Sequence, residues 1–172
     1  MDSRWLVPSA IVLSAGVAHA EQYLSVAEAQ AILFPGQRLS PATFVLSDDQ
    51  ARSIQRTTGV RVRDKEVHAW RADNGSMLFV DQVIGKHEFI TWALGVNADG
   101  TVRGVEILDY RETYGAEVRN PAWRAQFVGK TDGAELKLDR DIKNISGATL
   151  SCRHLTDGVK RLLATYALVF RR

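Results

Sequence analysis

The spacing of apolar positions divides the chain into segments of different period. Near the start, Arg4 precedes an uncharged, largely apolar run from Trp5 to Val17, followed by the small-x-small pattern Ala18-His19-Ala20. This three-part layout is that of a secretory signal peptide. The run is shorter than the roughly 20 residues that span a bilayer, so the expectation is cleavage after Ala20 rather than a retained anchor. Ser25-Val26-Ala27-Glu28 and Ser47-Asp48-Asp49-Gln50 are capping boxes, each predicting a helix. The first helix must end at Pro35-Gly36, and the second runs through about Arg56 and stops near Gly59. Residues 35–41 between them read as loop.

From Val60 onward the period falls towards two. Val60, Val62, Val67 and Ala69 suggest strand character around Asp64-Lys65. Asp73-Asn74-Gly75 is a turn signal, and Ser76 to Ile84 is apolar and β-branched up to Gly85-Lys86. In the next segment, His87 to Val96, Phe89, Thr91 and Ala93 alternate with Ile90, Trp92 and Leu94, so both faces are expected to be at least partly covered. Asn97-Ala98-Asp99-Gly100 turns the chain and Val102 to Tyr110 returns, giving an antiparallel meander. Asn120-Pro121 then starts a short helix, with Asn as cap and Pro in the first turn. Trp123 and Phe127 share one face of it, and Gly129 closes it. Leu136-Lys137-Leu138 is a brief strand candidate. A final helix from about Ala148 to Ala167 puts Leu155, Val159, Leu162, Leu163 and Tyr166 on one face, with Arg153, Asp157, Lys160 and Arg161 largely outside it. The predicted class is α+β: an antiparallel meander with short N-terminal helices and a long C-terminal helix. Residues 21–172 are expected to form one domain.

Composition narrows the function classes. The 172 residues carry a net charge of +2 with no clustered basic face, so nucleic acid is not an expected partner. Cys152 is the only cysteine, which excludes an internal disulfide and a Cys-x-x-Cys-His haem site. On the apolar face of its helix it reads as a small buried residue rather than a nucleophile. His68, His87 and Glu88 lack metal-ligand spacing, and there is no Gly-x-Gly-x-x-Gly for a nicotinamide cofactor.

The stretch with chemical promise is Ser146-Gly147-Ala148-Thr149-Leu150-Ser151, at the entrance of the last helix. A helix N-terminus presents N–H groups and the positive end of the macrodipole, and so holds phosphate. Thr149 brings a hydroxyl to that place. The same residues can also be read as an ordinary N-cap followed by small residues. Arg153, four residues on, can be read as a phosphate partner or as a solvated helix residue.

These residues resemble the flavinylation motif of the FMN-binding domain family. That family includes the C subunit of the sodium-pumping NADH:quinone oxidoreductase, the G subunit of the Rnf complex and small periplasmic flavoproteins. A second likeness lies upstream, in Arg111-Glu112-Thr113-Tyr114-Gly115 and in Trp123-Arg124-Ala125-Gln126-Phe127-Val128-Gly129-Lys130. Together they extend over about Ser76 to Leu163. One departure is Lys143, where the family often has Asp; Asp141 stands two residues earlier.

The resemblance implies FMN joined to Thr149 through a phosphoester, attached by a flavin transferase that uses FAD and magnesium. Ser146, Gly147, Ala148, Leu150 and Ser151 would complete the motif, with Glu112 and Thr113 as hydrogen-bonding candidates. Tyr114 and Trp123 can be read as flavin-stacking residues or, more simply, as core aromatics. The implied function is periplasmic electron transfer between redox partners, one of them membrane-bound or periplasmic, with no catalytic residue of the chain's own and no metal. The alternative is a flavin-dependent reductase of a small organic acceptor, which would draw on Arg111, Arg119 and Arg124.

Overall fold

The computed structural model describes residues 24–112 and 115–171, so the expected signal peptide and residues Thr113 and Tyr114 lie outside the described residues. Both capping boxes form as read. Ser25 starts α1 (Val26–Leu33) and Ser47 starts α2 (Asp48–Thr58), each through reciprocal bonds with the third residue on. Gly59, at φ 73°, ends α2 in the left-handed conformation. The meander follows as β3 (Glu66–Ala72), β4 (Met77–Ile84), β5 (Phe89–Val96) and β6 (Val102–Tyr110), every neighbour antiparallel.

Two short strands depart from the loop expected at 35–41. β1 (Leu39–Pro41) and β2 (Phe44–Val45) both pair with β3, giving the order β1-β3-β4-β5-β6 with β2 beside β3. They are three and two residues long, too short for alternation to show in sequence. Residues 60–65, expected to have strand character, are not strand; β3 begins at Glu66. Leu136-Lys137-Leu138 is not a strand either. Leu138 makes an isolated bridge to Ile142, and Leu136 sits at φ 46°.

The sheet is covered on both faces, which is why β4 and β5 read as nearly continuous apolar runs. One face carries Phe79, Ile90, Trp92, Leu94 and Ile107 against α4 (Thr149–Val169), whose Cys152, Leu155, Val159, Leu162 and Leu163 are buried. The opposite face carries Leu78, Ala93 and Leu108 against Ala29, Leu33 and Phe34 of α1 and its C-terminus. Close approach on each side depends on missing side chains. Gly95 pairs with Gly104 across β5 and β6, and a Cβ on Gly104 would lie 2.7 Å from Leu33 Cδ2. On the other side a Cβ on Gly158 of α4 would lie 2.6 Å from Trp92 Cζ2 and 3.2 Å from Val83 Cγ1.

Arg161 departs from the expected polar face of α4. It pairs with Asp81 of β4 and is only 12% exposed, so it ties the middle of the helix to the sheet. The outer edge of β6 is also occupied. Leu24 N donates to Leu108 O, Gly129 N donates to Val102 O, and Val102 N donates to Lys130 O.

Gly158→Ala tests the α4–sheet contact. Alanine in mid-helix gains about 1 kcal/mol over glycine from propensity, whereas overpacking a rigid core costs about 1–3 kcal/mol. With the indole of Trp92 in the way, urea unfolding is expected to show net destabilisation, larger for Gly158→Val. An unchanged or raised midpoint for both variants would show that the helix does not depend on this close approach.

Candidate functional site

The start of α4 is built by the segment that precedes it. After β6 the chain forms a 3-10 turn (Ala116–Arg119), α3 (Pro121–Arg124, capped by Asn120) and a second 3-10 turn (Ala125–Phe127). From this unit Trp123 and Gln126 reach the same residue. Trp123 Nε1 donates to Lys143 O at 2.7 Å, and Lys143 N donates to Gln126 Oε1 at 2.8 Å. Both backbone groups of Lys143 are thereby fixed three residues before Ser146. Trp123 is 5% exposed and packs edge-to-face on Phe127 at 5.2 Å, so it is a core aromatic and not a stacking platform.

Asp141 organises the loop before this point. Its carboxylate accepts from Lys137 N at 2.8 Å, from Leu136 N at 3.1 Å and from the Lys130 ammonium at 2.9 Å. Burial pushes this carboxyl up, but the two backbone N–H groups and Lys130 outweigh it and hold the pKa below the usual value. Leu136 and Asp139, the two non-glycine described residues at positive φ (46° and 63°), flank this pinned turn. With three donors on it, Asp141 is committed to the loop and does not reach Thr149.

Gly147 then turns the chain at φ 86°, and Ala148 N donates back to Ile145 O at 3.0 Å. A Cβ on Gly147 would meet nothing within 4 Å, so the glycine is explained by its left-handed backbone and not by crowding from the protein. Ala148 occupies the N-cap position of α4 and no side chain caps the helix. The reading of Ser146 as an ordinary N-cap is therefore overturned. Thr149 is the first helical residue and is half-buried. Leu150 is 41% exposed, while Ser151 and Cys152 are buried at 4% and 0%. Burial pushes the Cys152 thiol pKa up, as expected for an inert buried cysteine.

A cleft of about 600 Å³ opens beside Thr149. One wall is the α4 face made by Thr149, Arg153, Thr156, Asp157 and Lys160; the other is the loop from Glu135 to Asp139. The volume lies within the roughly 300–1,000 Å³ typical of small-molecule sites. Its polar groups suit an anion near Thr149, with uncapped helix N–H groups and the Arg153 cation one turn on. Leu136 and Leu138 supply apolar surface. Burial pushes the Asp157 carboxyl up, against the pull of His154, Lys160 and Arg153.

The other candidates lie apart from this cleft. Glu112 accepts from the backbone N–H groups of His87 and Glu88, which ties the exit of β6 to the β4–β5 turn. Burial pushes its carboxyl up, yet the turn N–H groups hold it below the usual value. Gly115, just beyond this segment, is close to the helix start: a Cβ there would lie 3.2 Å from Ser151 Oγ and 3.4 Å from Ala148 Cβ. Arg111 pairs with Asp109 and Arg124 with Glu106; neither they nor Arg119 line the cleft. Sequence reasoning gave no site role to Gln126, Asn144 or the loop at 135–139. Gln126 lies in the family-like segment, but its partner and that of Asn144 are set by the fold and by no spacing rule.

Residues 85–164 match the FMN-binding domain family. The match begins at the β4–β5 turn and takes in β5, β6, α3, the cleft loop and most of α4. Similar proteins include the C subunit of the Na(+)-translocating NADH-quinone reductase of Vibrio anguillarum, 31% identical over 134 residues, 61% of this chain and 51% of the relative. Its counterpart in Pasteurella multocida is 32% identical over 126 residues, 59% and 47% of the two chains. The G subunit of the Na(+)-translocating ferredoxin:NAD(+) oxidoreductase complex of Acetobacterium woodii is 30% identical over 81 residues, 42% and 39%. The chain thus spans about half the length, or less, of these relatives. Among the described residues no helix is long and apolar enough to cross a membrane.

The loop pinned by Asp141 should respond to acid. A depressed carboxylate pKa contributes stability that is present above the unfolded value, near 4, and is lost as pH falls through the folded value. Wild-type protein is therefore expected to lose stability below about pH 4. Asp141→Asn should be less stable at neutral pH and show a flatter acid limb in denaturant titrations run from about pH 7 downward. Parallel acid limbs for the two proteins would remove Asp141 from this role.

Proposed function

We propose that the protein is a periplasmic electron-transfer flavoprotein carrying FMN covalently through a phosphoester on Thr149. The observation that carries this reading is the placement of Thr149: first residue of an uncapped helix, half-buried, at the mouth of a cleft large enough for a flavin. The match of residues 85–164 to the FMN-binding domain family supports the cofactor. The relatives' names, as subunits of Na(+)-translocating quinone reductase and ferredoxin:NAD(+) oxidoreductase complexes, support a redox role.

FMN, when bound, supplies the redox chemistry. The chain's part is to hold and orient. The leading N–H groups of α4 and the Arg153 guanidinium would bind the phosphate, with the helix dipole adding to the attraction. Leu136 and Leu138 would exclude water from one side of the cleft. A covalent link keeps the cofactor without a deep enclosing pocket, which leaves an edge open to a partner. Attachment would be carried out by a flavin transferase that uses FAD and magnesium, after export of the chain and removal of residues 1–20.

The test is intact-mass analysis of protein recovered from the periplasm of a host that contains the transferase. The expected mass is that of residues 21–172 plus one FMN less one water, and Thr149→Ala should carry no flavin. Reduction of the bound flavin by a donor, with reoxidation by a second protein, should proceed without turnover of a small organic acceptor. Wild-type protein without flavin, or a Thr149→Ala variant that keeps it covalently, would sink the proposal.

A further inference from the structure

The threonines on the helices use their hydroxyls in two different ways. Thr57, Thr58, Thr156 and Thr165 each donate to the carbonyl four residues earlier, at 3.0, 2.7, 2.7 and 2.9 Å. This is the usual resting place of a helical threonine hydroxyl, and it takes up the hydrogen. Thr149 differs: its Oγ1 accepts a hydrogen bond from Asn144 Nδ2 at 3.2 Å. The carbonyl four residues earlier, Ile145 O, already accepts from Ala148 N. Among the described residues nothing takes the Thr149 hydroxyl hydrogen.

The orientation of the Asn144 amide is fixed by chemistry. Ile145 N donates to Asn144 Oδ1 at 2.9 Å, and only the oxygen of an amide side chain can accept. The NH2 group must then be the end that faces Thr149. Asn144 follows directly on Lys143, whose N–H and carbonyl are held by Gln126 and Trp123. The hydroxyl oxygen of Thr149 is thus positioned through a chain of contacts from α3 and the turn after it, as an acceptor whose hydrogen no described residue takes.

We propose that Asn144 is the positioning residue for the Thr149 hydroxyl, holding its oxygen as an acceptor so that it is presented for esterification. The proposal rests on the reading of Thr149 as the flavin attachment site. In that step Thr149 Oγ1 bonds the flavin-side phosphorus of FAD, the phosphoanhydride bond breaks, AMP leaves, and the hydroxyl proton passes to a base of the transferase or to water. No electrons are exchanged. As the first residue of α4, Thr149 has no helical carbonyl one turn earlier to donate to, and Asn144 fixes where its oxygen points.

Asn144→Asp is the informative variant. It keeps the shape and the oxygen that accepts from Ile145 N, and replaces the donor towards Thr149 by an acceptor. Purified apoprotein would be incubated with the transferase, FAD and magnesium, and flavin incorporation followed by intact mass. Asn144→Asp and Asn144→Ala are both expected to incorporate flavin about tenfold more slowly than wild type, the effect of losing one well-placed hydrogen bond. Their thermal midpoints should stay close to the wild-type value. Three-bond couplings to the Thr149 methyl group in the apoprotein give a second readout: one χ1 rotamer in wild type and averaging in Asn144→Ala, whereas in Asn144→Asp the hydroxyl can donate to the carboxylate instead. Wild-type rates for Asn144→Asp, or a single unchanged rotamer in Asn144→Ala, would overturn the role of Asn144. Wild type and Asn144 variants that all lack flavin, with the rotamer difference intact, would instead sink Thr149 as the attachment residue while leaving the positioning contact established.

Discussion

The N–H groups that lead α4 have no side-chain cap, and the arrangement of the site follows from that constraint. Both N-terminal helices spend a serine and an acidic or amide residue on their first turns. The 21-residue α4 begins at Ala148 without such help, forgoing about 1 kcal/mol that a good cap would give. It can do so because its stability comes from elsewhere, chiefly the apolar face from Cys152 to Tyr166 packed on the sheet and the Arg161–Asp81 pair. Packing holds the helix and leaves its first turn available to an anion.

The second requirement is that the first turn stay in place without a cap. The chain meets it from outside the helix. Trp123 and Gln126 hold Lys143, Asp141 gathers the loop before it, and the left-handed residues Leu136 and Asp139 turn that loop to form the cleft wall. Non-glycine residues at positive φ are uncommon and persist where surrounding contacts determine them. Here a carboxylate with three donors gathers the loop, and Leu136, buried in the main core, anchors the wall opposite Thr149.

Much of this was legible in the sequence wherever a local rule governs the residue. Ser25, Ser47 and Asn120 declared helix starts because capping acts within three residues, and the alternation from Ile90 to Leu94 declared a strand covered on both faces. Thr149 stands out in the sequence because it lies in a recognisable motif. The short strands β1 and β2 do not, since two or three residues carry no period and their pairing with β3 is a tertiary choice. The 136–138 segment misled for a related reason: two leucines around a lysine mimic alternation, while Asp141 imposes a turn. Asn144 and Gln126 escaped because each acts through a single long-range or loop contact. Glu112 was legible as important but not in its partner, which is the backbone of the turn between β4 and β5.

The occupied rim of β6 limits how the molecule can meet another chain. An open sheet edge offers ladder groups to any extended segment and invites strand addition. Here Leu24 and residues 129–130 already take such groups along β6, and at the opposite margin the sheet ends in strands of three and two residues. Association by extending the sheet is thereby disfavoured on both sides. Any protein that docks on these margins would have to be recognised through side chains and surface shape rather than by adding a strand.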